Sequence, residues 1–417
     1  MTAAPSGTST PNNPGHDLLG DPTSRLAVPA AGGSSNPAAL LRDLSSHFAE
    51  LGITRLARQT GLDRIGIPCY AAIRPNSATI ASHQGKGLDD VSAQISAVME
   101  AAEYAFAEAP KGAERTMSLA EAEAAGLATM DVTNLLPRGT LLDPRQPLRW
   151  IEGFVLETGA PVLVPYDAVV LGPPPADLPG IAQSTNGIAA GTSLNGALIH
   201  ALCEVIERDA VCLWGFKSDA AAAATAVAPA AFEDADVEAL EFRISEAGFQ
   251  LRLYDQTGNT GLPTIYAVLS PEDGADRHFD AATGANCHPI AAVAARRAIV
   301  EAAQTRITNI AGARDDIVEN EYEQELSRSI SILTDIGATQ RPAPLGLTAP
   351  ASEEGLLLAL RAGLARANLN RTIVIPIGGE AMGIHVVKVF VPGLEDRLTN
   401  RNWRPGSRAT AAMLGFM

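Results

Sequence analysis

Three stretches of this chain set acid and amide side chains three residues apart in sequence that favours helix: Ser96, Glu100 and Glu103; Glu204, Glu207 and Arg208; Glu301, Gln304 and Arg306. Positions i and i+3 of a helix are neighbours on one face, roughly 5–6 Å apart at Cβ. Each stretch therefore presents an oxygen-rich edge. One such pair alone is an ordinary solvated face, because Glu is a good helix former. Together, four carboxylates and a carboxamide on three helices suit Mg²⁺ and a polyphosphate. Mg²⁺ takes hard oxygen ligands, and clustered carboxylates without cations repel and raise one another's pKa. Arg208 and Arg306 add forked donors for phosphate oxygens; without a phosphate they form salt bridges.

A small-residue segment leads into each stretch: Gly85-Lys86-Gly87, residues 183–191 and residues 283–289. Glycine lets backbone N–H groups approach a phosphate, and a helix start adds its positive dipole end. None of the three fits the Walker or the dinucleotide-binding pattern. Lys86 reads equally as a phosphate contact and as a solvated turn lysine.

In this order, the motifs resemble the YcaO family: the Gln84–Gly87 turn with Ser96, Glu100 and Glu103; Ser184, Asn186, Gly187 and Gly191; Glu204, Glu207, Arg208 and Asp209; Arg297, Glu301, Gln304 and Arg306; and the late stretch 383–395. The resemblance covers about residues 51–396. The opening 52–76, with Arg55, Asp63, Arg64, Pro68 and Arg74, further resembles the branch that works beside TfuA proteins.

The resemblance implies an ATP- and Mg²⁺-dependent enzyme that activates a peptide backbone amide by O-phosphorylation after a nucleophile adds to the carbonyl. A Cys, Ser or Thr side chain as nucleophile gives an azoline, and external sulfide gives a thioamide, the product associated with the TfuA branch. Carried over by position, Glu100, Glu103, Glu204 and Glu207 are the expected Mg²⁺ ligands, with Arg208 beside them. Lys86, Ser96, Ser184, Asn186, Glu301, Gln304 and Arg306 are expected to line the nucleotide. Implied partners are a TfuA-type protein, a sulfur donor, a precursor peptide and a second copy of the chain.

The chain also departs from the family pattern. Tyr104 follows Glu103 where the first motif usually has arginine, and Asn195 and Gly196 stand where many members are acidic. The ending 401–417 has a single proline, unlike the proline-rich tail of azoline-forming members. That ending favours sulfide over ring closure. An azoline-forming cyclodehydratase and a noncatalytic nucleotide-binding scaffold are the alternatives.

Composition bounds the rest. The net charge of −16, from 31 basic and 47 acidic residues, argues against nucleic-acid binding. No apolar run reaches the roughly 18–20 residues of a membrane span, and no signal peptide opens the chain, so a cytoplasmic location is expected. Cys69, Cys203, Cys212 and Cys287 lack metal-ligand spacing and read as reduced, mostly buried thiols. Of His83, His200, His288 and His385, His200 is the best site candidate, four residues before Glu204.

Residues 1–36 are rich in Pro, Gly, Ser, Thr and Asn and read as a disordered arm. Residues 37–417 read as a single catalytic domain with no separate leader-binding module. Periodicity predicts helices at 40–51, 88–109, 194–215, 237–247, 289–311 and 352–367, and strands at 67–74, 79–82, 161–164, 249–254, 263–269, 372–376 and 385–391. Residues 171–180 and 219–231 read as surface connections. The expected class is α+β, helices packed on mixed or antiparallel sheets with internal α+β repeats.

Overall fold

The computed structural model of the protein describes residues 36–312, 319–335, 341–348 and 351–416. The proposed N-terminal arm, except Asn36, lies outside the described residues. Helices begin where capping chemistry allows. Asn36 accepts from the Ala38 N–H and Pro37 takes the first helical position, so α1 (Pro37–Ser45) starts three residues before the periodicity suggests. The Ser45 and Ser46 hydroxyls then bond to the Leu41 and Asp43 carbonyls, and the helix stops short of Leu51, which belongs to a separate turn.

Three helices carry the acidic motifs: α2 (Asp90–Glu108), α3 (Leu194–Trp214) and α5 (Ala291–Ala311). α4 (Ala235–Glu246) and α6 (Glu353–Arg366) pack beside them, and α7 (Ser407–Met413) closes the described chain. Among the described residues the strands form three sheets. β1 (Arg55–Arg58), β2 (Cys69–Ile73) and β3 (Ser82–Lys86) run in that order. A larger sheet has β4 (Glu114–Ser118), β5 (Pro147–Val155), β12 (Ile373–Gly378), β13 (His385–Phe390) and β7 (Ile188–Gly191) side by side, with β6 (Pro161–Pro165) also on β5. The third orders β11 (Ala282–Cys287), β10 (Thr264–Pro271), β9 (Phe249–Asp255) and β8 (Ala226–Val227). Every ladder between these strands is antiparallel, as the α+β expectation allows.

The internal repeat is a strand leading directly into a motif helix: β3 into α2, β7 into α3, β11 into α5. Here the structure corrects the reading of the glycine segments. Gly85 and Gly284 are strand residues, not phosphate-binding turns. A Cβ on Gly85 would stand 2.0 Å from Ala97 N and 2.2 Å from Ala93 O; on Gly191, 2.4 Å from Ala197 N; on Gly284, 2.4 Å from Ala298 O. These glycines let strand backbone touch helix backbone, and the facing alanines are fully buried. The strand expected at 79–82 lies instead at β3, since Thr79 and Ser77 turn to the Glu108 carboxylate. Residues 219–231 are more than a surface connection: Ser218 caps a short helix at Asp219–Ala223, and buried Ala226 and Val227 pair with β9.

Candidate active site

Close strand-to-helix contact fixes how far each acidic helix face projects, and three faces meet. α2 and α3 start on side-chain caps, Asp89 accepting from the Ser92 N–H and Ser193 from the Gly196 N–H. α5 has no such cap from Ile290; His288 Nδ1 accepts the Ile290 N–H at 3.0 Å instead. His288 is therefore structural. Burial, with the Arg297 and Arg296 charges, holds it neutral with a pKa pushed down to about 4.

Lys86, at the end of β3, donates to Glu301 Oε2 of α5 at 2.8 Å across 215 residues of sequence. Its ammonium also faces Glu100 of α2 and Glu207 of α3; burial opposes its charge, but these carboxylates raise its pKa. Glu103 Oε1 accepts the Ala190 N–H at 2.8 Å, and Glu204 Oε2 accepts the Gly187 N–H at 3.3 Å. Arg208 lies 3.2 Å from Glu207 and 3.8 Å from Glu204. Lys86, Glu301, Glu204 and Arg208 each keep 25–28% of the side chain exposed, so they line an open cleft rather than the core.

Burial, more than charge balance, sets the protonation of the clustered carboxylates. Burial, helped by Glu100 and Glu204, lifts the Glu103 pKa well above the carboxylate range. Burial does the same for Glu207, with Glu301 and Glu204 adding to it and Arg208 opposing. Glu204 is raised by burial against the pull of Arg208 and Lys388. The Glu207–Arg208 contact is not an aligned hydrogen bond. Glu207 Oε1, Arg208 Nε and Asn186 Oδ1 are all buried without hydrogen-bond partners. Such orphaned atoms are costly, and hard oxygens beside a guanidinium are the donor set that Mg²⁺ and phosphate use. Among the described residues no three His, Cys, Asp or Glu groups close around a point at metal-ligand distance; Glu103 and Glu204 are turned to backbone N–H groups instead. The residue types fit the metal and the nucleotide, while the side chains stand in self-paired positions.

The structure brings together Lys86, Glu100, Glu103, Glu204, Glu207, Arg208 and Glu301. Ser96 and Gln304 lie one turn from Glu100 and Glu301, partly buried. Ser184 Oγ contacts Thr399 Oγ1 at 2.6 Å and accepts the Asn186 N–H at 3.0 Å. Arg306 is not joined to the cluster: it points to Asp63 at 3.6 Å and lies over the Phe249 ring at 4.5 Å. Five positions beyond Glu301, it has rotated off that face. His83 packs on Tyr104 with its pKa pushed down to about 4 by burial and Arg74. His200 is exposed on the cleft wall, facing Arg297, His288 and Lys86 rather than a carboxylate. All four cysteines are free and buried.

Sequence reasoning passed over Lys388. Its side chain is 1% exposed, and its Nζ donates to the Ser184 and Asn186 carbonyls at 2.6 and 2.8 Å. It ties the 184–186 loop to β13 beside Glu204. A lone cation in the otherwise apolar strand His385–Phe390 was the available signal. Asp209, by contrast, is structural: it pairs with Arg408 of α7 and accepts the Glu395 N–H.

A family model described as a YcaO cyclodehydratase, ATP- and Mg²⁺-binding, matches residues 84–395. The chain belongs to the YcaO family. It is 35% identical over 391 residues to an uncharacterized protein encoded in the region 3′ of tfuA in Rhizobium leguminosarum bv. trifolii, covering 91% of this chain and 92% of the relative. An uncharacterized protein of Methanothermobacter thermautotrophicus is 30% identical over 370 residues, 86% of this chain and 94% of that one. Among solved structures, YcaO from Methanopyrus kandleri bound with AMPPCP and Mg²⁺ shares the fold at a TM-score of 0.65 and 23% identity, over 87% of this chain and 91% of that one. A heterocyclase in complex with substrate and cofactor has a TM-score of 0.66 and 19% identity, over 91% of this chain. This YcaO chain spans 55% of that heterocyclase. No helix among the described residues is long and apolar enough to cross a membrane.

Proposed function

We propose that this YcaO chain binds Mg·ATP in the cleft between α2, α3 and α5 and converts a peptide backbone amide into a thioamide. The observation that carries the reading is the convergence of five acidic side chains from three helices on a cleft that also holds the cations Lys86, Arg208 and Lys388. Glu100, Glu103, Glu204 and Glu207 would hold the metal, which supplies charge neutralisation between the phosphates. Arg208 offers its unpaired Nε to a phosphoryl oxygen. Lys86, Ser96, Ser184, Asn186, Glu301 and Gln304 line the nucleotide around it, and Arg306, engaged with Asp63, is left out of the assignment.

In the reaction hydrosulfide adds to the amide carbon, the resulting oxyanion attacks the γ-phosphoryl group and displaces ADP, and the C–O bond then breaks to release phosphate with that oxygen while the S–H proton is lost and C=S forms. The likeness to the protein from the tfuA region supports sulfide as nucleophile and a TfuA-type protein as sulfur-delivery partner. The four free thiols fit a reducing, cytoplasmic setting. A single catalytic domain acting as a homodimer completes the reading.

Azoline formation on Cys, Ser or Thr is the second reading, favoured by the family's description as a cyclodehydratase. Incubation of the protein with a TfuA-type partner, a precursor peptide, Mg·ATP and sulfide separates the two by mass. Sulfur for oxygen raises the peptide mass; ring closure lowers it by one water. A water loss localised to Cys, Ser or Thr refutes the thioamide. Calorimetry of Glu204→Gln and Glu207→Gln, both folded, must show weakened Mg·ATP binding; unchanged affinity in both removes the site.

A further inference from the structure

Beyond the carboxylates, the far end of α3 borders a second cavity of about 530 Å³. Trp214, Phe216, Met413 and Phe416 supply its apolar walls, with Gln256 and Asn259 from the loop after β9. The walls are firmly set on one side: the Trp214 indole N–H donates to Thr225 Oγ1 at 3.2 Å, and its ring packs 5.7 Å from that of Tyr266. Gln256 is 3% exposed, yet neither its Nε2 nor its Oε1 has a hydrogen-bond partner. A buried carboxamide left wholly unpaired is rare and costly. It offers a donor and an acceptor side by side, which match the C=O and N–H of another amide.

Position narrows the occupant. Trp214 is seven residues beyond Glu207, nearly two full turns, so both lie on one side of α3 about 10 Å apart along its axis. An extended peptide covers that span in about three residues, at ~3.3 Å each. The open side is apolar and adaptable, with Met413 47% and Phe416 80% exposed.

We propose that this cavity is a recognition subsite for the peptide: it takes a large apolar side chain about three residues from the amide that reacts, while Gln256 pairs with a backbone amide there. The proposal rests on the peptide-modifying reading above. It makes the cavity a determinant of which amide in a chain is presented to the cleft.

The probe is N-acetyl-phenylalanine N-methylamide, compared with its glycine analogue and with the corresponding methyl ester, titrated by ligand-observed NMR. Wild-type protein should bind the phenylalanine amide at least tenfold more tightly than either comparison compound. Gln256→Leu should lose at least tenfold in that affinity, and Phe416→Ala, a change at an exposed position that leaves folding intact, severalfold. Equal affinity for the phenylalanine and glycine amides, or unchanged affinity in Phe416→Ala and a folded Gln256→Leu, overturns the proposal. So does sedimentation showing that Phe416→Ala dissociates a dimer built on this cavity. A parallel Mg·ATP titration of wild type separates the two readings: amide binding without nucleotide binding sinks the reaction but keeps an amide-recognition site, and the reverse sinks the subsite alone.

Discussion

Lys388→Met tests whether the 184–186 loop is held for the nucleotide or merely for the fold. Burial lowers the lysine pKa from 10.5 to about 8, so with its contacts to Glu204 and Asp396 counted the charge is held at a cost of about 3 kcal/mol. Methionine removes that cost. It also removes two donors, to the Ser184 and Asn186 carbonyls, each contributing ~1.5 kcal/mol. The two effects nearly cancel, and the melting temperature should move by no more than a few degrees. Nucleotide binding has no such compensation: the loop loses its tether and Glu204 loses a neighbouring cation, so the Mg·ATP Kd should rise about tenfold or more, ~1.4 kcal/mol. The sign with pH follows. A lysine whose folded pKa is depressed costs stability in full below pH 8, and the cost fades between about 8 and 10.5; wild type should gain on Lys388→Met over that window. Calorimetry and thermal melting of both proteins decide the matter. Unchanged Mg·ATP affinity, or a collapse in melting temperature, refutes the reasoning.

Three further outcomes are expected. Gly284→Ala should lose about 3 kcal/mol in denaturant unfolding, because its Cβ would meet Ala298 O at 2.4 Å and Ala302 N at 2.5 Å, whereas Gly61→Ala, with nothing within 4 Å, should unfold like wild type. Arg408→Ala strands the Asp209 carboxylate, 2% exposed in its ion pair, and should cost about 3 kcal/mol in the same assay, partly restored by adding Asp209→Asn. His83, fully buried with a pKa lowered from 6.5 to about 4, contributes stability above pH 6.5 that is lost as pH falls towards 4; relative to His83→Gln, wild type should lose about 2 kcal/mol between pH 7 and 5 in urea titrations.

The acidic motifs were legible because their information is local. Spacing of three on a helix puts Glu100 with Glu103 and Glu204 with Glu207 whatever the rest of the chain does, and the order of the motifs pointed to the family. Long elements were legible for the same reason: α3 and β13 start at the predicted residues, since their periodicity spans several turns or alternations. The glycine segments were misread because Gly85 and Gly284 carry no side chain to signal a strand, and the reason for glycine there is a helix that packs on it only after folding. Strand β5 escaped for a related reason: its alternation is interrupted by Gly153, which makes room for the Val374 carbonyl of β12.

What the sequence determined by itself is the inventory of the site: which side chains bear charge, and which of them share a helix face. What only the tertiary structure decided is the pairing across the chain. Lys86 meets Glu301 215 residues away, Lys388 ties the 184–186 loop, Asp209 goes to Arg408, and Arg306 leaves the cluster for Asp63. Such contacts depend on sheet order and on how closely glycine lets strand meet helix. A helix period reaches only a turn or two, and charge partners are chosen by burial and distance once the layers are packed.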